Sequence, residues 1–155
     1  MRQRLISIGD DYWIEDDQGQ RAFRVDGKAL RVRQTFVLED ARGNEVAKIQ
    51  ERKLSVRDKM AIERGGDPLA TVRKAVVGIR DRFSIDVEGG GDLRAKGNIV
   101  DHEYEIDRDG RTVATVSKRW FRVRDTYGVE IAPGEDDALV LAIAVCVDAL
   151  SHRRD

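Results

Sequence analysis

An unbroken run of ten apolar residues near the end of the chain constrains the fold more than any other feature. The run extends from Ala138 to Val147, so a helix formed there is apolar on every face and has to be surrounded. Acidic residues at 136–137 precede it and basic residues at 152–154 follow it, a charge distribution that favours the start and the end of a helix. The sequence therefore predicts a helix from Asp136 to Ser151 that is buried on all sides.

Two environments, lipid and protein, can surround such a helix. A lipid span needs about 20 apolar residues, whereas Asp148 ends the run after ten. We therefore expect a protein interior and no transmembrane span. Cys146 is then a small buried packing residue and not a nucleophile, because a protein interior offers its thiol no solvent.

Upstream of the helix, the chain has the alternating pattern of β strands. From Tyr12 to Ile131 apolar residues recur mainly at every second position, which is typical of half-buried strands. Turn signals with a glycine, which favour tight antiparallel hairpins, occur at Asp17-Gln18-Gly19, Ala41-Arg42-Gly43-Asn44, Arg64-Gly65-Gly66-Asp67 and Asp107-Arg108-Asp109-Gly110. The alternating runs amount to about a dozen short strands, enough to close a barrel.

The strand region contains four copies of one pattern. In each copy an apolar residue is followed eight positions later by an arginine, then three later by an aromatic residue or methionine, and two later by another apolar residue. The copies are Val25, Arg33, Phe36, Leu38; Ile49, Arg57, Met60, Ile62; Val72, Arg80, Phe83, Ile85; and Val116, Arg124, Tyr127, Val129. In three copies the arginine is followed by an aspartate, and these Arg-Asp pairs form either a ring of ligand-binding sites or a repeated corner between strands. We favour the corner, because a feature copied in every repeat belongs first to the scaffold.

The predicted fold is mainly β: a closed antiparallel β-barrel of about twelve strands around a central hydrophobic C-terminal α-helix, in one domain over residues 1–155. Gly89-Gly90-Gly91 interrupts the repeats and is expected to be a hairpin tip, since it lacks the lysine and following helix of a phosphate loop. In this fold Asp148 lies near a mouth of the barrel, paired with a basic group. A buried functional carboxylate is the alternative.

Charge and cysteine content restrict the partners and the compartment. Lysine plus arginine number 28 and aspartate plus glutamate 29, a net charge of -1 that gives no overall attraction to nucleic acid. Cys146 is the single cysteine, which excludes an internal disulfide, and the apolar run at 5–8 is too short for the core of a signal peptide. We therefore expect a cytoplasmic protein that does not bind nucleic acid.

The residues themselves resemble the LURP-one-related family, which belongs to the tubby C-terminal-like superfamily together with the phospholipid scramblases. The resemblance covers nearly the whole chain and is strongest in the later part of the sequence. The segments that carry it are 5–9 with Tyr12 to Glu15, 36–40, 43–49, Lys96-Gly97-Asn98-Ile99, Tyr104-Glu105-Ile106 with Gly110, 116–120, 125–129, and the helix with Asp137, Leu141-Ala142 and Asp148. The resemblance implies the same barrel with a central helix.

The relatives imply two different activities. Tubby domains bind phosphoinositide head groups at a basic surface, and scramblases act at membranes with calcium. This chain offers no convincing calcium-binding acidic cluster and no span, so the scramblase activity does not transfer. The tubby activity requires a basic pocket, for which the candidates are Lys53, Arg57, Lys118, Arg119, Arg122 and Arg124. The alternative for these six residues is that they are outward charges on β strands.

The function expected from the sequence is that of a non-enzymatic domain that binds a partner protein or serves as a scaffold. With His102 and His152 as the two histidines, there is no metal-ligand spacing and no nucleophile beside a base. We accordingly expect no cofactor and no metal. The second hypothesis is binding of anionic lipid head groups by the basic strands, with Trp120 and Phe121 as membrane-contacting aromatics. An enzyme whose site is assembled from remote strands is a third.

Overall fold

The computed structural model describes residues 4–8, 13–28, 35–51, 59–77, 80–99, 101–118 and 127–151. These contain twelve strands followed by one helix. The strands are β1 Arg4–Ile8, β2 Trp13–Glu15, β3 Arg21–Lys28, β4 Thr35–Asp40, β5 Glu45–Glu51, β6 Lys59–Arg64, β7 Asp67–Val77, β8 Arg80–Val87, β9 Leu93–Asn98, β10 Glu103–Arg108, β11 Arg111–Ser117 and β12 Tyr127–Ile131, and the helix is α1 Asp137–Ser151. The predicted mainly β chain with a C-terminal helix is confirmed.

Each strand pairs antiparallel with the next along the chain, and β1 also pairs with β12, so the order of strands returns to its start as a barrel. The ring of pairings is weakest between β1 and β2. There the register contains two residue pairs, Ser7 with Glu15 and Ile8 with Ile14. By contrast, β7 and β8 pair over eight positions.

All four predicted turns join consecutive strands, and they lie at the end of the barrel where α1 begins. They connect β2 to β3, β4 to β5, β6 to β7 and β10 to β11. Gly19, Gly43, Gly65, Gly66 and Gly110 have positive φ in these turns, as tight hairpins require. The glycine run at 89–91 lies in the connection from β8 to β9, as expected of a hairpin tip.

The fourfold sequence pattern is a hairpin unit. In every copy the first and last apolar residues lie directly opposite each other on paired strands: Val25 and Leu38, Ile49 and Ile62, Val72 and Ile85, Val116 and Val129. All eight are buried. Each cross-strand pair therefore supplies two side chains to the core. The repeated pattern thus belongs to the scaffold of the fold. Arg33, Arg57 and Arg124 lie outside the described residues, and Arg80 begins β8.

Helix α1 is the core of the molecule. Every residue from Leu139 to Val147 is buried, as is Leu150, which agrees with the predicted burial on all sides. The predicted start was wrong by one residue, because Asp136 lies outside the helix and caps it. Its carboxylate Oδ1 accepts a hydrogen bond of 3.2 Å from the Leu139 N–H.

Asp136 also ties the start of α1 to the wall of the barrel. Arg64, at the end of β6, places Nη1 2.8 Å from Asp136 Oδ2. Partial burial raises the pKa of the Asp136 carboxyl, but the hydrogen bonds from Arg64 and Leu139 outweigh it and lower the pKa overall. The cap is therefore ionised at neutral pH, where its charge favours the helix start.

Candidate binding groove

Charged side chains cover the outer surface of β8 to β11. Along β9, Ala95 is buried in the core while Arg94 and Lys96 are exposed, and along β10 the buried Tyr104 and Ile106 flank the exposed Glu105. Because successive side chains of a strand point to opposite faces, the charged residues face outward. The inner face contributes to the buried core that contains α1, which leaves this outer surface for contacts with other molecules.

A concave surface crosses these strands with a cavity volume of about 1430 Å³. We call it the β8–β11 groove. It is lined by Arg82, Phe83, Ser84, Gly90, Gly91, Asp92, Arg94, Ala95, Lys96, Gly97, Glu103, Tyr104, Glu105, Asp107, Asp109, Gly110, Thr115 and Val116. Much of this lining is charged, so the groove suits a polar ligand better than an apolar one.

The two walls of the groove carry opposite charges. The wall formed by β8 and β9 presents three cations, Arg82, Arg94 and Lys96, and β10 presents three carboxylates, Glu103, Glu105 and Asp107. In the described part of the chain, the side chains of Arg82, Arg94 and Glu105 have no ion pair or side-chain hydrogen bond. Their charges are therefore available to a ligand.

Asp107 is the unusual residue of the groove. It points outward on β10 yet is only 8% exposed. Its Oδ2 lies 2.9 Å from Lys96 Nζ, whereas its buried Oδ1 has no hydrogen-bond partner in the structure. The pairing of β10 with β11 shifts register between Ile106 and Asp107, and such bulges often redirect a side chain next to a binding site.

Gly97 brings β9 and β10 together beside the groove. Its φ is +134°, and a Cβ at this position would lie 2.8 Å from the carbonyl oxygen of Glu103 and 2.9 Å from Cα of Tyr104. Real Cβ atoms do not approach backbone this closely, so only glycine allows the strands this separation. The spacing of the groove walls therefore depends on a residue without a side chain.

The end of the groove nearest the start of α1 is fixed by Arg108. Its Nη1 lies 2.8 Å from Glu135 Oε1 and 3.1 Å from Oε2, so one guanidinium nitrogen contacts both oxygens of a partly buried carboxylate. Its Nε donates a 3.3 Å hydrogen bond to the carbonyl of Gly91. Arg108 thus joins β10 to the β8–β9 connection and to the segment before α1.

A second polar cluster lies at the opposite end of the barrel, around the last turn of α1. The ring of His102 stacks on Tyr127 with centroids 4.4 Å apart and an interplanar angle of 5°. His102 Nε2 lies 3.6 Å from Asp148 Oδ1, an ion pair whenever the imidazole is protonated. Asp148 therefore has the basic neighbour that the sequence predicts for it.

Burial keeps the other titratable groups near this cluster neutral. It raises the pKa of Tyr104 and of Tyr127, and the nearby Asp148 carboxylate raises both further. Burial likewise raises the pKa of the Cys146 thiol. Cys146 is fully enclosed, in agreement with its predicted packing role, and a neutral enclosed thiol is a poor nucleophile.

Comparison with known proteins identifies the family. A model of the LURP-one-related family matches residues 1–148. The chain belongs to the LURP-one-related family. It is 28% identical over 152 residues to the uncharacterized protein YxjI of Bacillus subtilis (strain 168), a match that covers 98% of this chain and 92% of YxjI. An Arabidopsis thaliana protein of known X-ray structure has the same fold, with a TM-score of 0.74 and 20% identity over 97% of this chain and 91% of the other.

Of the six basic residues predicted for this LURP-one-related protein, one can be located. Lys118 follows β11 at the end of the barrel opposite the start of α1, with its Nζ 3.7 Å from Asp101 Oδ1 and its N–H bonded to Glu103 Oε1. Lys53, Arg57, Arg119, Arg122 and Arg124 lie outside the described residues, as do Trp120 and Phe121. The basic pocket therefore stays a prediction.

Membrane and metal binding can be assessed for the described ranges only. Within them, no helix has the length and apolar character needed to cross a bilayer. In the same ranges, no three histidine, cysteine or acidic side chains are grouped as metal ligands would be.

The groove residues were not recognised from the sequence. Alternation places Arg94, Lys96, Glu105 and Asp107 on the outward faces of their strands, and this signal is visible in the sequence. What the sequence does not show is that β9 and β10 pair with Lys96 opposite Glu105 and Arg94 opposite Asp107. In the sequence this stretch interrupts the repeats, and no site is predicted in it.

Proposed function

We propose that this protein is a non-enzymatic cytoplasmic domain that binds a partner protein, and that an extended segment of the partner lies in the β8–β11 groove. The observation that carries the proposal is the groove itself, a cavity of about 1430 Å³ on the outer face of four strands. Helix α1 occupies the interior, where its residues 140–144 are at most 1% exposed, so a ligand has to bind outside.

The size and lining of the groove favour a protein partner over a small molecule. Small-molecule pockets usually enclose roughly 300–1,000 Å³ and are mostly apolar. The groove exceeds this range, and its walls present arginine, lysine, glutamate and aspartate side chains. A peptide segment presents charges at regular intervals, which matches two walls of opposite sign.

The barrel that we propose for the whole chain also supports binding of a partner on its outer face. We take the ring of pairings to be one closed barrel of the tubby C-terminal-like type, in a single domain. Closure removes the unpaired strand edges to which a partner strand would add. Recognition would then depend on side chains of the outer face, which is where the groove lies.

Selection from a display library of random 12-residue peptides tests the proposal. Thr115→Trp fills the groove from β11, and Thr71→Trp places the same side chain on the outer face of β7, outside the groove lining. We expect peptides selected on the natural protein to keep binding to Thr71→Trp and to lose about tenfold or more in affinity for Thr115→Trp, since an indole would occupy their site. Equal binding to both variants, or no selected peptide at all, would contradict the proposal.

Binding of anionic phospholipid head groups is the second candidate. It is favoured by the placement of the strand ends that flank the predicted basic residues. The ends of β5 and β11 and the starts of β6 and β12 all lie at the end of the barrel where Lys118 lies. Co-sedimentation with phosphatidylcholine vesicles, with and without phosphoinositide, tests it. We expect more pelleting with phosphoinositide and less after Lys118→Glu; equal pelleting at both compositions would exclude this function.

A further inference from the structure

One oxygen of the Asp107 carboxylate, Oδ1, lacks a hydrogen-bond donor. Its side chain is 10% exposed and its Oδ1 has no partner, the one such buried side-chain atom found in the described residues. Buried polar atoms in folded proteins almost always have partners, because desolvation without a hydrogen bond is costly. An unpaired acceptor at the base of a groove indicates a place where a ligand supplies the donor.

Lys96 contacts only one of the two oxygens of this carboxylate, and its ammonium can move away easily into solvent. Its ammonium contacts Oδ2 alone, and its side chain is 61% exposed on a flexible stem. The ammonium regains water when it leaves, whereas the largely buried carboxylate needs another cation in its place. A guanidinium group, by contrast, can donate to both oxygens of a carboxylate at once. A cationic ligand that exchanges with Lys96 would therefore give Asp107 the donor it lacks.

The cations on the facing wall, formed by β8 and β9, require a negative charge on the same ligand. Arg94 stands directly opposite Asp107 on the neighbouring strand, and Arg82 lies one outward position further along β8. Neither guanidinium has an ion pair within the described part of the protein. A ligand with a cation alone would leave these charges unmatched and would bind more weakly than one that also carries an anion.

We propose that the β8–β11 groove binds a peptide segment with a lysine or, preferably, an arginine that replaces Lys96 on Asp107 and an acidic residue two positions away that reaches Arg94 and Arg82. This inference rests on the proposed function and names the chemistry of its partner. Residues i and i+2 of an extended chain point to the same side and lie roughly 6.5–7 Å apart. Opposing side chains on paired strands stand about 5 Å apart, so one extended segment matches both walls.

Titration with methylguanidinium chloride, followed by amide NMR shifts, tests the exchange at Asp107 without a known partner. Tetramethylammonium chloride has no N–H donor and serves as the ionic-strength control. We expect saturable shifts at Lys96 and Asp107 with methylguanidinium only. Asp107→Asn should weaken the binding about tenfold, because it removes the charge-assisted hydrogen bonds. The matched control, Asp86→Asn, removes an exposed carboxylate paired with Arg73 at 3.2 Å outside the groove and should change nothing.

Lys96→Gln distinguishes exchange from a merely structural ion pair. If the ligand displaces Lys96, removing that lysine should strengthen methylguanidinium binding about threefold or more, since the competitor is gone. Weaker or unchanged binding to Lys96→Gln, or shifts that persist in a folded Asp107→Asn protein, would overturn the inference. The peptide selection separates the two proposals. Groove-dependent peptides without the basic and acidic pair would refute the inference and leave the proposed function in place.

Discussion

The variant Ala144→Asp should fail to fold. Ala144 is completely buried near the middle of α1, where every neighbouring position in the helix is also enclosed. A carboxylate there would be desolvated without a partner, at a cost of roughly 5 kcal/mol or more. Single domains of this size are stable by only about 5–15 kcal/mol, so most or all of the stability would be lost. Circular dichroism and thermal melting of the purified variant measure the effect.

Ala41→Asp is the matched control for this prediction. Ala41 is exposed in the turn between β4 and β5, and a surface charge of this kind usually changes the free energy of unfolding by less than about 0.5 kcal/mol. The two variants have the same composition and net charge, so a difference of several kcal/mol between them reports burial, because helix propensity contributes less than about 1 kcal/mol. A soluble Ala144→Asp protein with a cooperative melt near that of Ala41→Asp would contradict the buried position of α1.

Replacing Gly97 with alanine should have the second largest effect, about 3 kcal/mol of lost stability. Two causes combine: the added Cβ would meet backbone atoms of Glu103 and Tyr104 at less than 3.0 Å, and φ is +134°. Because the atoms in the way belong to the backbone of β10, the contact cannot be relieved by a change of rotamer. Chemical denaturation gives the free energy of unfolding directly.

Gly43→Ala provides the comparison, because it has the positive φ without the close contact. Gly43 has φ +84° and nothing within 4 Å of an added Cβ, so only the backbone cost of about 1 kcal/mol applies. Equal losses of stability in the two glycine variants would contradict the close approach of β9 and β10 at the groove. If Gly97→Ala loses markedly more, the separation of the groove walls depends on this glycine.

Local patterns in the sequence were sufficient to predict the elements of the fold. The apolar run from Ala138 to Val147 requires an enclosed helix, and the turn glycines identify four hairpins because positive φ is costly for other residues. The pairing of the repeat residues, in which Val72 and Ile85 and their counterparts lie directly opposite each other, became known only from the structure. The first residue of α1 was missed because an aspartate that caps a helix and one that begins it have the same signature in sequence.

The candidate site depends on pairings that no local pattern contains. Lys96 and Asp107 are eleven positions apart, and their contact requires the pairing of β9 with β10. A single sequence shows that both side chains face outward but not that they share a groove. The sequence favours the basic residues around Lys118 instead, because they are close together along the chain.

The location of a bound peptide tests the central claim, that partners bind on the outer face of β8 to β11 and not at the end of the barrel where Lys118 lies. The measurement is the change in backbone amide NMR shifts when a selected peptide is added to the protein. We predict that the large changes fall between Arg80 and Ser117 and include Lys96 and Asp107. Large changes concentrated at Lys118 and His102, with the groove residues unaffected, would contradict it.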